Sequence, residues 1–475
     1  MTTRPLAFLL ALVLGSPASP ALAFVCGDLN GSQDVTASDA LSALKYSVGQ
    51  NVTIHCGAQH RTLVTSQIDC YDPAGTQVSC DGTGYDGDLR IGAPRAFTDN
   101  GDGTVTDRAT GLQWEQLDDD GGVHDQDTGM TIEGAYAKVA ALNAASFAGH
   151  SDWRLPNISE LLTIGDLGRI DPGTFQPWFD HDCTAGCKIP ACSCTPLPSY
   201  EWSSTSYAPD PSRAWALEMR FGDRFPQAKD LDTYRTRAVR GGYTQADVDN
   251  APVFARSCAD VNGNDTITAA DALAILRESV GQAVDLRCIL RSAPLVTGQA
   301  TCYGTYGDTI ACAGTGQDGE LKRGVARSFT NNADGTVTDD VTGLVWEVFS
   351  DDGSLNDGGW QYTWAGSVAA KIQQLNDAGY AGHSDWRVPN AYEAESLVDF
   401  GSTSSAVYDA FFNTGCQPSC ANTQCSCLPG AGSIWTSTTV IAAKGLAVRT
   451  SLVNGQMIWQ SKSDITNVRG VRGGD

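Results

Sequence analysis

Asp28, Asn30, Ser32, Asp34, Thr36 and Asp39 stand at positions 1, 3, 5, 7, 9 and 12 of a twelve-residue stretch. Asp260, Asn262, Asn264, Thr266, Thr268 and Asp271 repeat that spacing. Oxygen at these intervals lets a loop wrap one hard cation, which takes six to eight oxygen ligands. Position 7 acts through its backbone carbonyl, so Asp34 and Thr266 need not match. Val35 and Ile267, at position 8, are apolar anchors to the core. The chemistry predicted is calcium binding; the alternative is a metal-free turn rich in Asp and Asn.

Cysteine is the second chemistry. All sixteen cysteines obey a repeat of 232 to 233 residues. Cys26, Cys56, Cys70 and Cys80 recur as Cys258, Cys288, Cys302 and Cys312; Cys183, Cys187, Cys192 and Cys194 recur as Cys416, Cys420, Cys425 and Cys427. Even sets predict a closed disulfide framework in each copy. Equal spans pair Cys26 with Cys56 and Cys258 with Cys288, each closure contributing roughly 3 kcal/mol. The dense cluster Cys183-x3-Cys187-x4-Cys192-x-Cys194 lacks separated Cys-x2-Cys knuckles, so two disulfides are favoured over zinc, with connectivity open.

No catalytic constellation emerges. His150 and His383 titrate near neutrality, but no nucleophile or metal partner recurs beside them. Arg154 and Arg387 are expected to pair with an internal acid. Glycosidase chemistry needs two opposed carboxylates, and no pattern singles out a pair among 55 acids. The chain is therefore read as a non-enzyme.

These residues require elements to hold them. Leu41, Leu44 and Val48, like Leu273, Leu276 and Val280, share one face of a short helix after each loop. Gly49 and Gly281 stop those helices. Asn-Gly and Asp-Gly between Phe97 and Trp114 predict a hairpin, as does the same region from Phe329 to Trp346; Asp99, Asp102 and Asp107 are turn residues there rather than a second metal site. Further helices are expected at 136–142 and 368–375, with Asn157 and Asn390 capping the next ones. Trp202 and Trp435 lie in core strands.

Residues 1–23 read as a secretory signal, with Arg4, an apolar run over 6–14 and Ala21-Leu22-Ala23. The run is too short to span a membrane. A secreted, extracellular or cell-surface setting follows, with the periplasm as an alternative. The net charge of −24 opposes nucleic acid as a partner. The expected layout is residues 24–60 and 250–292 as calcium units, with residues 61–249 and 293–475 as large domains.

The opening units resemble single dockerin repeats, which implies an EF-hand-type calcium loop and a protein partner in a polysaccharide-processing complex. Gln33 and Asp265 depart from that pattern at position 6, where glycine is usual. Dockerins also carry their two repeats nearly back to back. Here the units either pair across the molecule or cap separate domains. In the large units, Gly-Asp-Gly-Thr-Val-Thr-Asp, Gly-His-Ser-Asp-Trp-Arg-Leu-Pro, Trp-Ser-Ser-Thr and Val-Arg-Gly-Gly resemble the Lcl C-terminal domain family, named for the end of a bacterial adhesin that binds sulfated glycans. The Trp-Arg-Leu-Pro and Val-Arg-Gly-Gly pieces also resemble the fold shared by C-type lectins and the formylglycine-generating enzyme. That enzyme's thiol pair has no counterpart here. The resemblance implies an α+β, disulfide-rich, lectin-like fold in tandem. The expected function is binding of a polysaccharide or extracellular-matrix glycan; the alternative is an extracellular scaffold that binds a cell-surface protein. Arg213, Arg220, Arg224, Arg235, Arg237 and Arg240 form the candidate basic patch for sulfate; Lys444, Arg449, Lys462, Arg469 and Arg472 are its poorer twin.

Overall fold

The computed structural model describes residues 27–29, 34–50, 52, 62–244, 258–262, 266–284, 286, 288, 292–364, 366–408 and 415–474. The expected signal at 1–23, Cys26, Cys56, Asn30, Ser32 and Asn264 lie outside them. In copy one the elements run α1 Ala37–Ser47, β1 Cys70–Tyr71, β2 Gln77–Val78, α2 Asp86–Leu89, β3 Phe97–Asp99, β4 Thr104–Asp107 and β5 Leu112–Glu115. Then follow α3 Ile132–Ala144, α4 Ile158–Leu161, β6 Tyr200–Ser206, β7 Arg213–Glu218, β8 Arg224–Ala228 and β9 Val239–Gly241. Copy two repeats them as α5 Ala269–Ser279, β10 Cys302–Tyr303, β11 Thr309–Ile310, α6 Asp318–Leu321, β12 Phe329–Asn331, β13 Thr336–Asp339 and β14 Leu344–Glu347. It continues with β15 Tyr362–Thr363, α7 Ser367–Asp377, α8 Ala391–Glu395, β16 Ser433–Thr439, β17 Leu446–Ser451, β18 Met457–Ser461, β19 Ile465–Thr466 and β20 Val471–Gly473.

The class is α+β. Each copy holds a four-stranded antiparallel sheet, β3-β4-β5-β9 or β12-β13-β14-β20, and a three-stranded one, β6-β7-β8 or β16-β17-β18. The predicted hairpin is present: Phe97 pairs with Asp107 and Asp99 with Val105. Asp99 accepts from Gly101 N–H and Asp102 from Thr104, which is the turn role expected of them. α3 closes over Trp153 and Trp202 through Ile132, Ala135, Val139 and Leu142. Arg154 grips Glu160 with two bonds of 2.5 and 2.7 Å, and Arg387 grips Glu393 at 2.7 and 2.7 Å. Asn157 and Asn390 cap α4 and α8 as predicted.

Six disulfides close inside the copies: Cys70–Cys80, Cys183–Cys194, Cys187–Cys192, Cys302–Cys312, Cys416–Cys427 and Cys420–Cys425. Cys258 and Cys288 are also disulfide-bonded. Disulfides in this number belong to an oxidising, extracytoplasmic setting. Among the described residues, no helix is long and apolar enough to cross a membrane.

The copies are not independent beads. One core joins Trp114, Leu161, Trp215 and Leu217 of copy one to Tyr392, Phe400, Val448 and Met457 of copy two. The short segment before each large unit also packs on the opposite copy. Asp86, in α2, accepts from Thr65 at 2.6 Å and from Thr438 of β16 at 2.6 Å. Asp318, in α6, accepts from Thr297 at 2.6 Å and from Thr205 of β6 at 2.7 Å. Lys229 reaches the Tyr303 carbonyl, and Lys462 reaches that of Tyr71. A pseudo-two-fold exchange of segments holds the molecule together.

The two loop–helix units pair with each other. Gly27 N–H donates to the Cys258 carbonyl at 2.9 Å, and Leu29, Ala40 and Ala43 pack against Val261, Ala272 and Ile275. The predicted apolar face turns the other way. Leu41, Leu44, Val48, Leu273, Leu276 and Val280 are all exposed, because the smaller alanines permit the close helix contact.

Candidate functional site

Capping boxes start α1 and α5, with Thr36 answering Asp39 and Thr268 answering Asp271. Gly49 and Gly281 end them at φ of 78° and 74°, a conformation costly for other residues. This places the twelfth-position acids inside their loops. Asp39 accepts from Leu29 N–H at 2.9 Å, Thr36 N–H at 2.9 Å and the Thr36 hydroxyl at 2.6 Å. Asp271 accepts from Asn262 N–H at 3.2 Å and from Thr268 N–H and hydroxyl, each at 2.9 Å. Asp28 and Asp260 are buried beside them; Asp34, Asn262 and Thr266 are exposed, and Thr36 and Thr268 half-buried. A carboxylate oxygen can accept more than one contact, so the capping role is compatible with metal ligation. Two buried acids in an all-oxygen loop fit a hard cation.

The other candidates divide cleanly. His150 and His383 follow tight turns, their N–H groups bonded to the Phe147 and Tyr380 carbonyls at 3.0 and 3.1 Å. Neither joins a metal-ligating cluster among the described residues. The dense cysteine clusters bring their sulfurs together as disulfides, which leaves no thiolate there for zinc. The arginines proposed as a basic patch for sulfate are divided between buried and surface pairs. Arg224 and Arg237 are fully buried and paired with Glu395 and Glu201. Arg213, Arg220 and Arg240 pair with Asp210, Asp171 and Asp152. Arg235 bonds the Gln126 and Asp127 carbonyls. In copy two Lys462 and Arg469 are buried, Arg472 holds Asp385, and Lys444 lies 4.6 Å from the Tyr71 ring. Strand alternation and burial scatter what the sequence places close together.

A groove that sequence reasoning missed lies at the seam between the copies. It offers about 350 Å³ and is lined by Pro198, Tyr200, Phe221, Phe225 and Trp459 with Glu218, Arg220 and Asp223. β7 and β8 deliver the acids at either side of their turn, where Glu218 N–H bonds the Asp223 carbonyl at 2.7 Å. Trp459 reaches in from β18 of the other copy and meets Phe221 edge-on at 4.9 Å. Burial pushes the Glu218 carboxyl up to about 7, against the pull of backbone N–H groups. Burial, then the neighbouring Glu218, push Asp223 up to about 7 as well. The Trp459 side chain, close to Asp223, partly offsets that rise, and one oxygen of Glu218 has no donor in hydrogen-bonding geometry. Half-buried aromatic faces beside carboxyl groups can stack on a sugar ring and hydrogen-bond its hydroxyls. Copy two gives no hint of this groove: Ser451 and Gln456 stand where copy one has the two acids. Only the fold brings Trp459 to Phe221.

The Lcl C-terminal domain profile matches residues 103–240 and again 335–472, more than half of the chain. The chain belongs to the Lcl C-terminal domain family. Glu218 and Asp223 thus sit in the first Lcl domain and Trp459 in the second, while the paired loop–helix units lie outside both. No curated protein and no solved structure shows significant similarity to the chain.

Proposed function

We propose that this is a secreted glycan-binding protein whose two Lcl domains jointly hold a neutral sugar in the seam groove. The observation that carries the reading is the meeting of Tyr200, Phe221, Phe225 and Trp459 with the carboxyl groups of Glu218 and Asp223. Pairing of most of the arginines with acids, with a net charge of −24, favours neutral over sulfated polysaccharide. Calcium, held by Asp28, Asp39, Asp260, Asp271 and their loop neighbours, is assigned the task of fixing the paired loop–helix unit. The test is retention of the mature protein on neutral and sulfated polysaccharides, in calcium and in chelator. Retention on a neutral glycan that Trp459→Ala and Asp223→Asn both weaken supports the reading; retention unchanged by both variants removes it.

A second reading rests on its own observation. Six aliphatic side chains, Leu41, Leu44 and Val48 with Leu273, Leu276 and Val280, are exposed on the paired helices. Such a face suits a protein partner in an extracellular complex. Leu44→Lys with Leu276→Lys would release that partner and leave glycan retention untouched.

A further inference from the structure

Lys229 and Lys462 are twins in unlike surroundings. Each follows the last strand of a three-stranded sheet and reaches the short segment of the opposite copy. Lys462 donates to the Tyr71 carbonyl at 2.8 Å and to the Thr439 hydroxyl at 3.1 Å. Its ammonium stands 4.1 Å from the centre of the buried Trp364 ring, and Trp364 in turn lies against Tyr85 at 4.4 Å. Two aromatic rings thus fill the junction beside that cation.

Around Lys229 both rings are replaced. Trp202 bonds the Met130 carbonyl as Trp435 bonds that of Tyr362, at 2.9 and 2.8 Å, so Ile132 stands where copy two has Trp364. Gln317, just before Asp318, takes the place that Tyr85 holds just before Asp86. Tyr136, two residues before Lys138, enters from α3, where copy two has Ala369 before Lys371. A pocket of about 270 Å³ remains, with Ile132, Tyr136, Lys229, Tyr303, Ile310 and Gln317 on its walls. Lys229 is held there by the Tyr303 and Gly304 carbonyls, both at 3.3 Å, and the Tyr303 ring centre is 5.8 Å away.

An ammonium is attracted to the face of an aromatic ring within about 6 Å, most strongly where water is excluded. Copy two supplies that face from its own chain; the pocket leaves room for one at Lys229. Burial pulls the Lys229 ammonium down to about 8, and Glu133 and Asp308 oppose that pull. A ligand carboxylate would meet those two acids, whereas a neutral ring would not. We propose that this pocket binds a small, uncharged, planar aromatic molecule, seated against Lys229 as the Trp364 indole is seated against Lys462. Its size is near the lower end of small-molecule sites, about 300 Å³. The pocket shares no lining residue with the seam groove and does not rest on the glycan reading.

The test uses the full mature chain with indole and phenol, and with cyclohexanol as the saturated control. Binding is read by saturation-transfer NMR and by titration calorimetry. Indole or phenol should saturate a single site per chain, with cyclohexanol about fivefold weaker than phenol. Ile132→Trp/Tyr136→Ala/Gln317→Tyr gives this junction the residues that copy two already carries. It should abolish binding while the protein stays folded by near-ultraviolet circular dichroism. Lys229→Met keeps the stem, removes the charge and should weaken phenol about fivefold. Absence of saturable binding by both aromatics overturns the proposal. So does cyclohexanol binding as tightly as phenol, or undiminished binding in the folded triple variant. Should Lys229→Met fail to fold, phenol against cyclohexanol decides the part played by the charge.

Discussion

In copy one Glu115 is buried against Lys138 at 3.0 Å, and in copy two Glu347 is buried against Lys371 at 2.7 Å. The Arg154–Glu160 and Arg387–Glu393 clamps match as closely, and so do the crossing acids Asp86 and Asp318. Around the seam groove the agreement ends. Tyr200, Glu218, Phe221, Asp223 and Phe225 correspond to Ser433, Ser451, Asn454, Gln456 and Ile458. Side chains that both copies keep hold strands and segments in place. Tyr200, Glu218, Phe221, Asp223 and Phe225, which copy one alone carries, border the groove. Duplication has left the frame symmetric and the concave surfaces asymmetric, so the differences mark where ligands are to be sought.

The largest effects should come from the frame. Glu347→Leu strands the buried Lys371 ammonium and Glu115→Leu strands Lys138, each at about 3–5 kcal/mol. Because one core spans both copies, either variant should lower a single cooperative transition in calorimetry. Two separated transitions would break the picture of a shared core. Next come Asp86→Ala and Asp318→Ala, each removing two hydroxyl bonds to a buried carboxylate at a cost of about 3 kcal/mol. The symmetry of the exchange requires the two costs to agree within about 1 kcal/mol; a larger gap in urea unfolding would show that one crossing matters more.

The same acids set a pH dependence. Burial pushes Asp86 and Asp318 up to about 6, partly opposed by their threonine bonds. A carboxyl whose folded value exceeds its unfolded one binds a proton more readily when folded. Its contribution to stability is therefore complete below about pH 4, near the unfolded value, and is lost as pH rises through about 6. Glu218 and Asp223 extend the loss to about 7. Wild type should lose more stability between pH 5 and pH 8 than Asp86→Asn/Asp318→Asn, measured by urea unfolding at both values.

The frame was legible from sequence because its signals are local or repeated. Asn157 caps at its own helix, Arg154 finds Glu160 six residues on, and the Asp-Gly turns build hairpins where they stand. The pairing of the loop–helix units was open, since helical spacing shows which residues share a face but not which face is covered. Alanine won over leucine because Ala40, Ala43 and Ala272 let the helices approach closely. The arginines could not be sorted into buried and exposed by their order along the chain. The groove was invisible for a stricter reason: Trp459 and Phe221 are brought together only by the crossing of the copies.

A smaller effect is expected in the groove. Trp459→Ala should lower glycan affinity about tenfold, the worth of one aromatic ring stacked on a sugar together with the area it buries, and leave the melting temperature within a few degrees. Ser451→Glu/Gln456→Asp gives copy two the acids without the aromatic rings. If acids alone suffice, that variant gains a second site by titration calorimetry; a stoichiometry of one keeps the aromatic seam as the deciding feature.

The smallest effect sharpens the comparison inside the frame. His124 Nδ1 lies 2.8 Å from Glu115 Oε1 and its ring meets Phe147 at 4.4 Å. In copy two, Asn356 donates to Glu347 Oε1 at the same 2.8 Å, with Tyr380 at the position of Phe147. An amide thus already does in one copy what an imidazole does in the other. His124→Asn should keep the bond and lose only ring packing, at less than about 1 kcal/mol. Asn356→His should be tolerated as well, because Tyr380 offers its ring the same kind of face. A cost above about 2 kcal/mol in His124→Asn would separate the copies here too. It would place His124 with Glu218 and Asp223 among the residues copy one keeps for a ligand.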